Sequence, residues 1–358
     1  MVVRGLDLTG FRNYKTLSAK FSPSCNWVIG NNGQGKTNLV EAVYYLCNLE
    51  SFRTRKTSFL LNTESSVTRL FGEVEQNSVL HRIDITVNEK GRRVLLDHKV
   101  FQRTSEYVLS FAALAFTPEG VSLFRNQPQE RRRFFNRTLS LIDSAYLLDL
   151  QSYMEVLGQK NILLKKQRRE NEIKPWNELL ARYGTSIVKK RKKFVSQVNE
   201  TLSFVFQELT GREEALGLQY EPAIRNWDKG EDSILKEIEG SLERERQYGH
   251  ALVGPHRDDY RMQLGKRKDR GFFSQGEYRV TYLSLKLCVN SILIENSGNH
   301  PVIIFDDLFS ELDQGVVSHT ITALEKMENQ VFITSTTLPQ GGAVQGEQIR
   351  ISQGQILE

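Results

Sequence analysis

The segment Gly30-Asn31-Asn32-Gly33-Gln34-Gly35-Lys36-Thr37 constrains this chain more than any other. A short apolar run, residues 26–29, precedes it, and Leu39, Val43, Leu46 and Leu49 follow at near-helical spacing. The pattern predicts a strand, a glycine-rich loop and a helix over 37–49. It fits the G-x-x-x-x-G-K-[ST] phosphate loop. Glycines let backbone pass where a Cβ would clash with phosphate. Successive N–H groups and the helix N-terminus then point at the anion. The residues expected to hold nucleotide are Gly30, Asn31, Asn32, Gly33, Gln34, Gly35, Lys36, Thr37 and Asn38. Lys36 reaches the β- and γ-phosphates, and the Thr37 hydroxyl ligates Mg²⁺.

A second signal is Pro301-Val302-Ile303-Ile304-Phe305-Asp306-Asp307. Apolar residues ending in two acids fit a buried parallel strand that delivers carboxylates to its C-terminal edge. Asp306 is expected to hold Mg²⁺ and Asp307 to orient or deprotonate an attacking water. With Lys36 they form the expected catalytic set for ATP hydrolysis.

Phe273-Ser274-Gln275-Gly276-Glu277-Tyr278 precedes a predicted helix over 280–292. Ser274 can cap that helix, and with Gly276 it offers a second anion site. A plain capped turn is the competing reading. Placed about thirty residues before the acidic strand, the segment resembles the signature loop of ABC-type ATPases, Ser-x-Gly-Gly/Glu-Gln. Ser310-Glu311-Leu312-Asp313 resembles the D-loop of that class, and Thr334 to Thr337 occupies its switch position. In ABC-type proteins the signature loop caps the γ-phosphate held by a second subunit. The resemblance therefore implies an ATP-sandwiched homodimer, with Ser274 and Gly276 acting in trans and a two-fold axis giving two identical sites.

The 358 residues suit a large α/β domain plus a second lobe. From about residue 130 to 248 helix formers dominate, with long helices expected over 141–166 and 176–206. Residues 67–101 alternate as a small antiparallel sheet does, and the apolar stretch 108–116 has the length of a buried strand. The first residues read as strand, turn at Thr9-Gly10, strand. The expected fold is an α/β ABC-type P-loop ATPase head, a mixed sheet with flanking helices and an antiparallel β subdomain, carrying an inserted helical lobe. Its expected parts are 1–135, the head with the P-loop; 136–248, the helical arm; and 249–358, the rest of the head. Cys25, Cys47 and Cys288 are too scattered for a disulfide framework or a zinc site. The chain also lacks a leader-like start and any apolar run long enough to cross a bilayer. A reduced, cytoplasmic setting without a membrane is expected.

Ser274 lies 244 positions after Gly30, too far for a transporter cassette, and the insert is too short for an SMC coiled coil. The remaining resemblance is to the RecF family of bacterial repair ATPases, and it covers essentially the whole chain. It rests on Leu8 to Tyr14, Asn38 to Leu46, Ser51-Phe52-Arg53-Thr54, Phe116-Thr117-Pro118-Glu119, Pro128 to Phe134, and the diagnostic Gly254-Pro255-His256-Arg257-Asp258-Asp259. Departures fall at Gly120, Asn136 and Tyr278. The resemblance implies slow hydrolysis of ATP with Mg²⁺, and an ATP-dependent homodimer on double-stranded DNA near single-strand/double-strand junctions. It also implies partnership with RecR and RecO in placing RecA on gapped DNA.

The formal charge of +5 permits a polyanionic partner. The run Lys189, Lys190, Arg191, Lys192 and Lys193 supplies the DNA-binding candidates, with a second group from Lys160 to Arg169. Such clusters bind phosphates without reading sequence. A five-residue run wraps more than one helical turn, so its charges cannot share one groove. Competing functions are a transporter's ATPase subunit, an ABC-headed nuclease and a non-catalytic ATP-dependent scaffold. Only about twenty residues follow Thr337, too few for a nuclease domain.

Overall fold

The computed structural model describes the chain except residues 55, 102–103, 225, 308, 310–311, 339–344 and 358. The chain forms two compact units, 1–121 with 208–211 and 282–358, and 122–207 with 212–281. These units divide the chain at other positions than 135 and 248.

The first unit holds two six-stranded sheets. One is antiparallel, in the order β2 (Tyr14–Lys20), β1 (Val2–Phe11), β4 (Val67–Gln76), β5 (Val79–Asn88), β6 (Gly91–Leu96), β7 (Lys99–Val100). Its alternating burial matches the period of a half-buried strand, with Ile83, Ile85 and Val87 inward on β5. β1 runs on through Gly10 to Phe11, because Thr9 still pairs with Thr16, so the turn falls at Arg12 and Asn13 and not at Thr9-Gly10.

The other sheet runs β15 (Gln355–Leu357), β14 (Gly346–Ser352), β3 (Cys25–Ile29), β13 (Val331–Ser335), β12 (Val302–Asp306), β8 (Ala113–Phe116). β14, β3, β13, β12 and β8 are parallel, and β15 closes one edge antiparallel. Every residue of β12 is buried, as a strand covered on both faces requires. Only 113–116 of the apolar stretch pairs in the sheet. Thr104–Ser110 before it is helical and buries Tyr107. Periodicity could not separate a buried strand from a buried helix there.

The helix Lys36–Asn48 buries Leu39, Val40, Val43, Leu46 and Cys47, and these share one core cluster with residues of both sheets. Fully burying a leucine contributes about 1.5–3 kcal/mol, so this helix and the loop ahead of it are held firmly. Gly120, one of the departures, has a packing reason: a Cβ there would stand 2.2 Å from the Tyr282 hydroxyl.

The second unit contains the helices Pro128–Ile142, Ser144–Lys165, most of Glu170–Thr210, Glu231–Gly240 and Leu242–Tyr248. The Asp143 carboxylate caps Ser144–Lys165 by accepting from the N–H groups of Ala145 and Tyr146. A three-stranded sheet, β11 (Arg267–Lys268), β10 (Asp259–Leu264), β9 (Leu216–Glu221), belongs to the same unit. Pairing of β9 with β10 holds residues 259–264 within this unit. Among the described residues, no helix is long and apolar enough to cross a membrane.

Candidate nucleotide-binding site

β3 delivers the chain into the glycine loop beside the ends of β13 and β14. A Cβ on Gly30 would come 2.3 Å from the Ile351 carbonyl oxygen, so only glycine fits. Gly35 takes a φ of 117°, and a Cβ there would lie 2.8 Å from the Tyr14 hydroxyl. That hydroxyl donates to the Gly35 carbonyl at 2.9 Å and fixes the turn into the helix. Gln34 is held by the N–H of Gly354 on its carbonyl, 3.1 Å, and by the N–H of Gln353 on its side chain, 2.5 Å. The loop is thereby shaped to present backbone to an anion.

The Lys36 ammonium donates to the carbonyls of Gly30, 2.7 Å, and Asn31, 3.0 Å. Burial pulls its pKa below the ordinary lysine value, opposed by Asp307 and Asp306. Thr37 Oγ1 donates to Asp306 Oδ1 at 2.8 Å, joining the helix start to the end of β12. Thr334 Oγ1, on β13, donates to the same Oδ1 at 2.9 Å and accepts from the Asp307 N–H at 2.8 Å. Asp307 adopts a φ of 49°, which turns its N–H toward Thr334 just past the strand. Burial pushes the Asp306 pKa up, and the bonds from Thr37 and Thr334 pull it back. A hydroxyl and a carboxylate oxygen converging here form a hard-oxygen pair of the kind Mg²⁺ takes.

Two of the sequence motifs meet on one acid. Glu41, fully buried in the helix, accepts from Arg12 at 2.6 and 3.0 Å, from Ser51 Oγ at 2.5 Å and from Arg53 at 3.4 Å. Asn38 donates to Asn13 and accepts from Arg53, so Asn38 stands at the mouth of the loop. A cleft of about 550 Å³ opens there, lined by Arg12, Asn13, Asn38, Arg53 and Phe59 among others. Thr334, Tyr14 and Arg53 lie in segments singled out by resemblance, but the contacts they make were not readable from them: Thr334 with Asp306 and the Asp307 N–H, Tyr14 with the Gly35 carbonyl, and Arg53 with Asn38 and Glu41.

Ser274 and Gly276 belong to the second unit, at the start of the helix Gln275–Ser297. Ser274 Oγ accepts from the Glu277 N–H at 3.2 Å, and the Ser274 N–H donates to the Glu277 carboxylate at 2.8 Å. This reciprocal capping box explains why the helix begins five residues before the expected position. Arg267 and Arg212 pair with Glu277 and, with the Ser274 N–H, bring its carboxyl down to about 2. Ser274, Gln275 and Gly276 stay exposed. Tyr278, the departure next to them, donates its hydroxyl to the Asp269 carbonyl. Asp313 is exposed at the start of Gln314–Glu325, and Ser310 lies outside the described residues.

The basic run divides by helical phase. Lys189 and Lys193 are exposed, Lys190 binds Asp149 at 2.8 Å, and the Lys192 ammonium lies 3.4 Å over the Trp227 ring. Arg191 is buried, with its guanidinium 2.5 Å from the Asp258 carboxylate and 2.8 Å from the Pro255 carbonyl. Arg191 is thus corrected from a DNA-contact candidate to a structural cation. It falls on the inward face with Val188, Phe194 and Val195. Lys160 is likewise buried, 2.6 Å from Glu245. The hexapeptide at 254–259 supplies the acids of this interior: Asp258 for Arg191, and Asp259 for Arg131 and Arg261. Asn136 joins it by accepting from Tyr146 and Arg191.

The family profile described as the RecF/RecN/SMC N terminal domain matches residues 2–353. The chain is similar to the DNA replication and repair protein RecF of Geotalea uraniireducens, 32% identical over 94% of both chains. It is 30% identical to RecF of Staphylococcus carnosus, again over 94% of both. A solved structure of the recombination mediator protein RecF with ATP in the RecFOR pathway superposes with a TM-score of 0.90, at 28% identity, over 99% of this chain and 96% of the other. An SMC head bound to the C-terminal winged-helix domain of ScpA shares the fold, with a TM-score of 0.58 at 13% identity over 100% and 98% of the two chains.

Proposed function

The chain belongs to the RecF family, and from that premise we propose that it is an ATP-dependent DNA-binding ATPase of replication-gap and recombinational repair. The observation that carries this reading is the convergence of Lys36, Thr37, Asp306, Asp307 and Thr334 at one edge of the parallel sheet. The loop suits a triphosphate, because Gly30 and Gly35 let its backbone pack where a Cβ would strike Ile351 or Tyr14, and the space beside Gly33 is open. Thr37 and Asp306 fit Mg²⁺, which would supply neutralisation of phosphate charge. Lys36 exchanges its bonds to the Gly30 and Asn31 carbonyls for phosphate oxygens. Asp307 accepts the proton of the attacking water or holds that water in line. A short aspartate in this role makes hydrolysis slow, so ATP works as a timed clamp.

The Ser274–Gly276 cap of one protomer closes over the triphosphate of its partner, and the closed homodimer grips double-stranded DNA near single-strand/double-strand junctions. Lys189 and Lys193 are the members of the basic run free to meet phosphates. With RecR and RecO the protein helps place RecA on gapped DNA in the bacterial cytoplasm.

Nucleotide and duplex titrations of the wild type against Lys36→Met test the reading. Lys36→Met is expected to bind ATP at least tenfold more weakly, as loss of one charge-assisted hydrogen bond implies. It is also expected to lose the ATP-dependent part of duplex binding. Equal duplex binding by both proteins, or binding insensitive to salt, contradicts it.

A further inference from the structure

We propose that a cleft in the helical unit is a docking site for an acidic protein segment carrying an apolar anchor side chain. The cleft encloses about 470 Å³ between the helices Pro128–Ile142 and Ser144–Lys165, and all its lining residues belong to one compact unit. Three arginines of the first helix, Arg132, Arg133 and Arg137, stand along one wall. Leu150, Tyr153 and Met154 of the second helix form the other. Among the described residues, no carboxylate lines it. The acids behind it are already committed: Asp258 to Arg191, and Asp259 to Arg131 and Arg261.

Arg132 is half-buried and gives one hydrogen bond, 2.8 Å, to the Asp258 backbone carbonyl. Burial holds its pKa below the ordinary arginine value; Asp259 and Asp258 oppose this, and Arg191 and Arg257 add like charge beside it. Such a wall favours an incoming carboxylate, which forms bidentate pairs with guanidinium. The opposite wall asks for something else. Met154 is 52% exposed, and the neighbouring turn leaves Leu148 62% exposed. A flexible thioether over an apolar floor suits a side chain inserted from a partner. A cavity of this size accepts one or two side chains and not a duplex, whose phosphates sit on a convex surface. Phosphodiester backbone would also gain nothing from Leu150, Tyr153 and Met154. The chemistry therefore selects a peptide with both charges and an apolar anchor, as interface hot spots combine them.

This inference does not depend on the ATPase reading, because none of these residues belongs to the nucleotide site. The test uses the full-length protein and a fluorescein-labelled peptide with a central leucine flanked by aspartates. Its controls are the same peptide with asparagines, and one with glycine for leucine. Fluorescence anisotropy is expected to show micromolar binding of the first peptide, weakening as salt rises, and at least tenfold weaker binding of both controls. Arg133→Glu is expected to abolish binding. Met154→Ala, which keeps the charge, is expected to weaken it several-fold without changing the thermal midpoint. Duplex affinity is measured in parallel. Absence of peptide binding by the wild type overturns the proposal. So does a loss of duplex affinity in Arg133→Glu with peptide affinity unchanged, since the cleft would then serve the DNA backbone.

Discussion

Thr37 Oγ1 lies 2.8 Å from Asp306 Oδ1, although 269 positions of sequence separate the two residues. The phosphate loop and the acidic strand are thus locked before any ligand contributes. β12 and β3 are not neighbours; β13 lies between them and supplies Thr334, whose hydroxyl holds Asp306 and accepts from the Asp307 N–H. One threonine therefore sets the positions of both acids.

Replacing Thr334 with valine removes that link while keeping the shape. Isothermal titration is expected to show Mg²⁺–ATP affinity falling about tenfold or more, as loss of a supporting partner behind a metal ligand does. Thr334→Ser should restore most of it. Unchanged affinity in the valine variant means the hydroxyl supports nothing at the site.

Asp307→Asn separates binding from turnover. Steady-state hydrolysis is expected to fall by about 10²–10⁴, the usual contribution of a general base, with ATP affinity within about threefold of the wild type by the same assignment. A drop in affinity matching the drop in rate assigns Asp307 to ligand binding.

His256 makes the fold sensitive to mild acid. Its pKa lies near 4, against an ordinary 6.5, chiefly because burial disfavours the cation. Its Nδ1 is 2.6 Å from the Tyr153 hydroxyl and its Nε2 3.2 Å from the Ala251 carbonyl oxygen. The folded pKa is depressed, so the unfolded chain takes up the proton first. Stability from this group is complete above pH 6.5 and is lost as pH falls toward 4, by at most about 1.4 kcal/mol per unit. Urea unfolding of wild type and His256→Asn across that window is expected to show a shallower decline in the variant. Parallel declines assign the acid sensitivity elsewhere.

The basic run should split the same way in experiment as in geometry. Arg191→Ala leaves Asp258 buried without its cation and is expected to destabilise the fold by about 3–5 kcal/mol. Lys189→Ala and Lys193→Ala are expected to leave unfolding unchanged and to lower the salt slope of duplex binding by about one each. Full stability in Arg191→Ala contradicts the buried assignment.

The parts legible in the sequence were those with local periodicity. Glycines around Lys36, apolar spacing from Leu39 to Leu46 and the run into Asp306 each carry their structure within a dozen residues. Asp258 and Asp259 show where this stops. β10 pairs with β9 across 38 to 48 positions, a link that no local pattern announces. Arg191 was misplaced for a different reason: five successive cations look alike until helix phase turns one of them inward. Thr334 falls in the segment at the switch position by resemblance, but only the pairing of β13 with β12 brings it to the acids.

Sedimentation velocity of Asp307→Asn with saturating Mg²⁺–ATP and a gapped duplex tests the composite site most directly. A complex containing two protein chains is expected, lost when ATP is omitted and lost again in an Asp307→Asn, Ser274→Arg double variant. A single chain on the DNA at saturating ATP contradicts it.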